Sequence, residues 1–135
     1  IFNKGTLDED IAKEKLIKEL NKKCQGNPPS FDLTLLGLGD DGHTASLFPY
    51  ESSNLSDDYV IYSFGKGLKR ISLTPKILSL SNKVIFLVCG SSKQLALKRL
   101  LDSKESFERT PAKLIKPNSQ ILVFSDLEAS KYLSI

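Results

Sequence analysis

Strands and helices are predicted to alternate along this chain of 135 residues, which indicates an α/β fold with a mainly parallel sheet and helices on both faces. Two observations carry the prediction. Nearly continuous apolar runs at residues 31–38 and 84–89 are typical of strands that are covered on both faces. Amphipathic helical patterns precede and follow these runs, with glycine or proline at the boundaries. The length fits one domain, residues 1–135.

A helix is predicted at the start of the chain. Thr6 and Glu9 have the spacing of a capping box, in which each side chain satisfies a backbone donor of the first turn. Apolar residues then follow one face of a segment rich in lysine and glutamate, namely Leu7, Ile11, Leu16, Ile17 and Leu20. Two prolines at 28–29 cannot continue a helix, so it is expected to end near residues 24–26.

The later elements are predicted from the same signals. Residues 44–48 are expected to form a short helical turn before Pro49, with its amides facing the preceding glycines. A turn at 65–67 joins two strands, and Pro75 suits the first turn of a short helix. The remaining expected elements are strands at 59–64, 70–73, 84–89 and 121–124, a helix from about 91 to 101, and a C-terminal helix from 125.

Composition limits the classes of partner. The net charge is +3, but the lysines are scattered beside glutamates, and no basic patch interleaved with aromatics favours a nucleic acid. The apolar runs are far shorter than the ~20 residues that a membrane span needs. Cys24 and Cys89 are far apart, which suggests a reducing cytoplasm, and Cys89 is expected to act as a small apolar residue within its strand. One histidine and two separated cysteines predict no metal site and no cofactor.

The segment at 33–49, LTLLGLGDDGHTASLFP, contains the strongest functional signal. It places the only histidine, His43, in a glycine turn after an apolar strand, and open α/β sheets bind ligands at the carboxyl ends of their strands. An imidazole titrates near neutral pH, as a general acid or base must. Asp41 either orients this imidazole or only forms the turn. Gly39 and Gly42 allow tight turning and let backbone amides line a site for a developing oxyanion.

The same glycines admit a second interpretation. Gly37, Gly39 and Gly42 have the GxGxxG spacing of a dinucleotide-binding loop. A lone match to this pattern is weak evidence, and the charges of Asp40 and Asp41 would repel a pyrophosphate. A dinucleotide is therefore not expected.

Four segments in the same order resemble the 6-phosphogluconolactonase family: GLGDDGHTASLFP at 37–49, KRISLT at 69–74, VIFLVCGSSK at 84–93 and PAKLI at 111–115. The resemblance implies a Rossmann-like fold of the lactonase type. It also implies hydrolysis of 6-phospho-D-glucono-1,5-lactone to 6-phosphogluconate in the oxidative pentose phosphate pathway. Members of this family are longer, with strands and a phosphate loop upstream. The chain is therefore expected to be the C-terminal part of such a domain, incomplete at its N-terminus.

The resemblance also assigns roles to residues. His43 is expected to take a proton from water as it attacks the lactone carbonyl, and then to protonate the departing ring oxygen, with Asp41 favoured over Asp40 as its partner. Lys93 in the GxxK turn and Arg70 would bind phosphate, Arg70 with its fork of donors. Lys69 and Lys113 are weaker candidates. The expected substrate-binding residues are Gly39, Gly42, Thr44, Arg70 and Lys93.

Two other functions remain open at this point. Glucosamine-6-phosphate deaminases and isomerases have a similar turn, but the run after their histidine contains asparagine and glutamate, whereas residues 44–49 here read TASLFP. A module that binds a sugar phosphate without turnover is the other alternative, because a fold alone does not fix a function. The expected partner is a small sugar-phosphate lactone. Because bifunctional relatives are known, fusion to or cooperation with glucose-6-phosphate dehydrogenase is a further expectation.

Overall fold

The computed structural model describes residues 9–133, so the predicted cap at Thr6 and the apolar position Leu7 lie outside the described part. The helices and strands are α1 (Glu9–Lys23), β1 (Thr34–Gly37), β2 (Val60–Gly65), β3 (Leu68–Leu73), α2 (Pro75–Leu78), β4 (Val84–Val88), α3 (Gln94–Leu101), β5 (Ile121–Ser125) and α4 (Leu127–Ser130). Short 3₁₀ turns occur at Ser52–Leu55, Ser91–Lys93 and Pro111–Leu114. The predicted strands and the end of the first helix are confirmed to within a few residues.

Three strands form a parallel sheet in the order β1-β4-β5. β2 and β3 form a separate antiparallel hairpin. The α/β class with a mainly parallel sheet is confirmed. Because all three parallel strands run the same way, the turns that follow Gly37, Val88 and Ser125 lie at one edge of the sheet.

One face of the sheet carries the hydrophobic core. Leu36 of β1 and Phe86 of β4 are neighbours in the sheet, and both are buried. The same core contains Leu20 of α1, Leu97 of α3 and Ile77 of α2. Helices therefore supply the apolar surface that buries this face.

The opposite face is open among the residues that the structure describes. Leu35, Leu87 and Phe124 point to this side and are 58%, 49% and 56% exposed. The expectation that β1 is covered on both faces is therefore wrong for the described chain. Successive side chains of a strand alternate between faces, and buried and exposed residues alternate along β1. We call this surface the open face and define it by Leu35, Leu87, Leu122 and Phe124.

Two local predictions are also wrong. Residues 44–48 form no helical turn, because Thr44 and Leu47 close a tight turn through a 2.9 Å backbone hydrogen bond and Ala45 has a left-handed φ of 50°. The Thr44 hydroxyl donates to the Gly37 carbonyl at 2.8 Å, and this bond directs the chain back toward β1. Cys89 is exposed just beyond the end of β4, so it is not packed within the strand.

Candidate active site

A compact glycine turn follows β1 at the carboxyl edge of the sheet. The amide of Gly39 donates to the His43 carbonyl at 2.7 Å, and the amide of Gly42 donates to the Gly39 carbonyl at 3.0 Å. Gly42 has a φ of 96°, a conformation that side chains with a Cβ rarely adopt. These two hydrogen bonds close the turn between Gly39 and His43.

Asp41 and His43 form a close pair in this turn. Asp41 Oδ1 lies 2.5 Å from His43 Nδ1 and also accepts the His43 amide at 3.0 Å. An ionised carboxylate only accepts hydrogen bonds, so Nδ1 carries a hydrogen, and in the neutral ring the free lone pair lies on Nε2. The pair therefore presents a nitrogen that can accept a proton.

The charge of Asp41 is maintained by its surroundings. Partial burial raises the pKa of the Asp41 carboxyl. Hydrogen bonds from the His43 amide and ring, together with the positive charges of His43 and Lys66, lower it by more. The pKa of Asp41 is therefore lowered overall. The Asp41 carboxylate is therefore the acceptor of the hydrogen bonds from the His43 amide and ring. Asp41 is thus suited to support proton transfer at His43.

The His43 ring lies in a narrow slot. Its centroid is 4.9 Å from that of Phe48, and the two rings are tilted by 35°. On another side is Gly39, where an added Cβ would lie 2.0 Å from His43 Nδ1 and 2.7 Å from Asp41 Oδ1. Gly39 is therefore required by the close approach of the Asp41–His43 pair.

The segment 105–112 packs against the glycine turn at Gly42. The amide of Ala112 donates to the Gly42 carbonyl at 3.2 Å, and a Cβ on Gly42 would lie 3.1 Å from the Thr110 backbone. The Thr110 hydroxyl donates to Glu105 Oε1 at 2.8 Å. Glu105 also pairs with Arg109, whose hydrogen bonds lower the pKa of the Glu105 carboxyl to about 2. We call this segment, 105–112, the rear brace.

The structure limits the roles of three predicted substrate-binding residues. The amides of Gly39 and Gly42 are both engaged within the turn, so neither is free in this conformation to donate to an oxyanion as expected. The Thr44 side chain is 1% exposed and its hydroxyl bonds to the Gly37 carbonyl. These three residues build the turn, and their direct contact with a substrate stays a prediction.

The predicted phosphate-binding residues approach the turn from two other elements. Arg70 of β3 places its guanidinium carbon 5.6 Å from the centroid of the Phe48 ring, and its buried Nε has no hydrogen-bond partner. Lys93 ends the 3₁₀ turn after β4, and its charge contributes to lowering the pKa of Asp40. The fold thus brings Arg70 to the Phe48 side and Lys93 to the Asp40 side of the same turn.

The two weaker candidates contact other parts of the protein. Lys69 Nζ lies 5.2 Å from the centroid of the Tyr62 ring. Lys113 donates to the Leu100 carbonyl at 3.3 Å and to the Asp102 carbonyl at 2.6 Å. Lys113 thereby satisfies carbonyls at the C-terminus of α3, where a cation is favourable.

One residue at the site was not predicted. Lys66, at the tip of the β2–β3 hairpin, places Nζ 3.1 Å from Asp40 Oδ1. In the sequence it was visible only as part of the turn GKG, because a contact between residues 26 positions apart has no local pattern.

Two further properties of the described chain bear on this site. No helix among residues 9–133 is both long and apolar enough to cross a bilayer. Within the same range, no three side chains of histidine, cysteine, aspartate or glutamate come together as a metal site would require.

Comparisons with known proteins agree with this architecture. The chain is 39% identical over 109 residues to a 6-phosphogluconolactonase of Synechocystis sp., an alignment that covers 80% of this chain and 45% of that protein. It is 36% identical over 133 residues to the 6-phosphogluconolactonase of Rattus norvegicus, with 94% and 51% covered. The crystal structure of 6-phosphogluconolactonase from Thermotoga maritima superposes with a TM-score of 0.75 at 29% identity, covering 89% of this chain and 52% of that one.

The chain spans about half the length of the curated relatives it matches. The match to a family model extends over residues 2–124, nearly the whole sequence. On this evidence, the chain belongs to the family described as glucosamine-6-phosphate isomerases/6-phosphogluconolactonase.

Proposed function

We propose that the natural polypeptide carrying this chain hydrolyses 6-phospho-D-glucono-1,5-lactone to 6-phosphogluconate, with His43 as the general base and acid. The observation that carries the proposal is the Asp41–His43 pair, joined at 2.5 Å in a glycine turn at the carboxyl edge of the sheet. The printed names of the relatives at 36–39% identity support the choice of reaction.

The geometry supports a mechanism in two proton transfers. Asp41 holds the hydrogen of Nδ1, and His43 Nε2 takes a proton from water as the water oxygen bonds to the lactone carbonyl carbon. The tetrahedral intermediate then collapses, the bond from carbon to the ring oxygen breaks, and His43 returns the proton to that oxygen. The products are a hydroxyl group and a carboxylic acid, which ionises at neutral pH.

Cations near the turn support a phosphorylated substrate. Arg70 has an unpaired buried Nε and can form two parallel hydrogen bonds to a phosphate. Lys93 adds a point charge on the Asp40 side. We propose that these two residues bind the 6-phosphate, at a distance from the carbonyl that His43 attacks.

We further propose that the reaction takes place in the cytoplasm as a step of the oxidative pentose phosphate pathway. Both cysteines of the described chain are free, which suits a reducing compartment. The proposed mechanism uses no cofactor. A glucose-6-phosphate dehydrogenase would supply the lactone, either as a separate enzyme or fused to this one.

The test is an assay of the natural polypeptide on freshly generated 6-phosphogluconolactone, with spontaneous opening subtracted. Glucosamine 6-phosphate serves as the rival substrate, and ammonia release reports deamination. We expect lactone hydrolysis well above the spontaneous rate and no ammonia. Ammonia without lactonase activity would establish the deaminase reaction instead. Binding of 6-phosphogluconate without either turnover would identify a non-catalytic module.

We also propose that these residues are the C-terminal part of a longer lactonase-type domain, whose remaining part packs on the open face. Three observations support this. The chain corresponds to about half of its relatives. Leu35, Leu87 and Phe124 leave apolar surface exposed, which is costly in water. A groove of about 480 Å³ runs between β1 and β3, and β1 has no described strand on that edge.

The substitution Leu87→Ala in the natural polypeptide tests this packing. If the open face is covered there, the variant should lose about 2–5 kcal/mol of unfolding free energy, as buried leucines do. The control is Leu101→Ala, since Leu101 is 52% exposed on α3 and Leu87 is 49% exposed here. Equal and small losses in both variants, within about 0.5 kcal/mol, would show that the open face stays in water.

A further inference from the structure

The tip of the β2–β3 hairpin has a residue that folding alone does not explain. Lys66 and Gly67 connect the strands with φ values of 53° and 76°, so both are left-handed. Hairpin turns of this kind favour asparagine or aspartate followed by glycine. A lysine in the first position gains nothing from its side chain locally. The Lys66 side chain instead contacts Asp40, which lies outside the hairpin.

The hairpin is fixed in position over the Asp41–His43 pair. A Cβ on Gly65 would lie 2.3 Å from the Phe48 ring, and Phe48 packs against the His43 ring. The Ser63 hydroxyl donates to the Ser46 carbonyl at 2.6 Å, which ties β2 to the loop before Phe48. The tip of the hairpin therefore stays beside the glycine turn.

At this position Lys66 meets the acidic side of the turn. Its Nζ lies 3.1 Å from Asp40 Oδ1, and the two side chains are 51% and 58% exposed. An exposed ion pair of this kind adds little to stability. The ammonium has three donors, and the contact with Asp40 engages one of them. Lys66 also acts through its charge on Asp41.

The carboxylates at this site repel an anionic substrate. Asp40 and Asp41 place two carboxylates within one turn, and both have lowered pKa values, Asp40 chiefly through its hydrogen bond with Lys66 and Asp41 through the contacts described above. Two negative charges beside the catalytic ring repel a phosphorylated ligand. The cation nearest to Asp40 decides how much of this repulsion remains.

We propose that Lys66 is a specificity-determining residue, which offsets the charge of Asp40 and donates to the phosphate of the substrate. Asp40 is then the positioning residue that holds the ammonium beside the turn. The inference rests on the proposed function and adds a residue from the hairpin to the phosphate-binding set. It predicts that Lys66 acts on binding of the phosphorylated lactone and not on the chemical step.

The experiment measures kcat and KM of the natural polypeptide with 6-phosphogluconolactone and with unphosphorylated glucono-1,5-lactone. We expect Lys66→Ala to raise KM for the phosphorylated lactone by roughly 5- to 10-fold, the scale of one partly exposed charge-assisted contact. Its kcat and its activity on the unphosphorylated lactone should stay within about two-fold. Lys66→Arg should retain most of the affinity, and added salt should narrow the difference between Lys66→Ala and the unchanged protein.

Lys76→Ala is the matched control, because Lys76 Nζ pairs with Asp57 at 3.2 Å and its side chain is 47% exposed. A similar KM change in this control, or equal effects of Lys66→Ala on both lactones, would overturn the proposal. So would a fall in kcat that accompanies a lower Tm. If the unchanged protein hydrolyses neither lactone, the proposed function fails by itself. Calorimetry with 6-phosphogluconate and gluconate then decides about Lys66, since phosphate-dependent affinity must weaken in Lys66→Ala.

Discussion

Replacing His43 with asparagine is expected to lower kcat on 6-phosphogluconolactone by about 10²- to 10⁴-fold, the range that general acid–base catalysis contributes. Asparagine keeps polarity and similar size, but it has no nitrogen that accepts a proton at neutral pH. Asp41→Asn should retain the ring but remove the negative charge 2.5 Å from Nδ1, and its amide group can donate to Nδ1 and favour the wrong tautomer, so a loss of kcat of up to about 10⁴-fold is expected.

The measurement requires subtraction of spontaneous lactone opening, which is fast. KM should change little in His43→Asn, because the substitution removes a proton acceptor and leaves the cations at Arg70 and Lys93 in place. Near-normal turnover in His43→Asn would exclude His43 as the base and would leave the Asp41–His43 bond as a structural feature of the turn.

Substitution of Gly39 by alanine is expected to reduce kcat/KM by at least ~10²-fold, the cost of misplacing a catalytic group by about 1 Å. The added Cβ would lie 2.0 Å from His43 Nδ1, closer than any real contact between non-bonded atoms, so either the ring or the turn must move.

NMR of the 135-residue chain reports the same change. Since this chain has a single histidine, its ring resonances can be followed without assignment. The hydrogen on Nδ1 should lose the downfield shift that its bond to Asp41 produces.

The matched control is Gly37→Ala in this 135-residue chain, followed by the same histidine resonances. A Cβ on Gly37 meets nothing within 4 Å, so the Asp41–His43 bond should persist. If Gly39→Ala keeps both the downfield hydrogen and its activity, the slot around His43 is wider than the structure shows, and the role given to Gly39 is wrong.

Much of the fold follows from local patterns. The apolar runs that became β1 and β4 and the glycines that end them are visible in sequence because strand periodicity and turn residues are local properties. The Asp41–His43 pair is also local, since its partners are two residues apart. Prediction succeeded where the deciding contact lies within a few residues.

Two of the wrong predictions, at residues 44–48 and on the open face, depend on contacts between distant residues. Residues 44–48 were expected to form a helical turn, but the Ser46 carbonyl accepts from the Ser63 hydroxyl, the Ser46 amide donates to the Ser72 hydroxyl, and Ala45 between these segments is left-handed. Open-face exposure likewise depends on what packs above the sheet. Lys66 was recognised only as a turn residue, since its contact with Asp40 exists only after the hairpin has folded over the turn.

The rear brace is synthesised after the glycine turn that it supports. β1 and the glycine turn leave the ribosome well before the brace, residues 105–112, whose contacts reach Gly42 through Thr110 and Ala112. A nascent chain therefore contains both partners of the Asp41–His43 pair long before the turn that carries them is supported. The turn is therefore supported only after residues 105–112 have been made, and a premature stop ahead of Glu105 yields a polypeptide with Asp41 and His43 but without the rear brace.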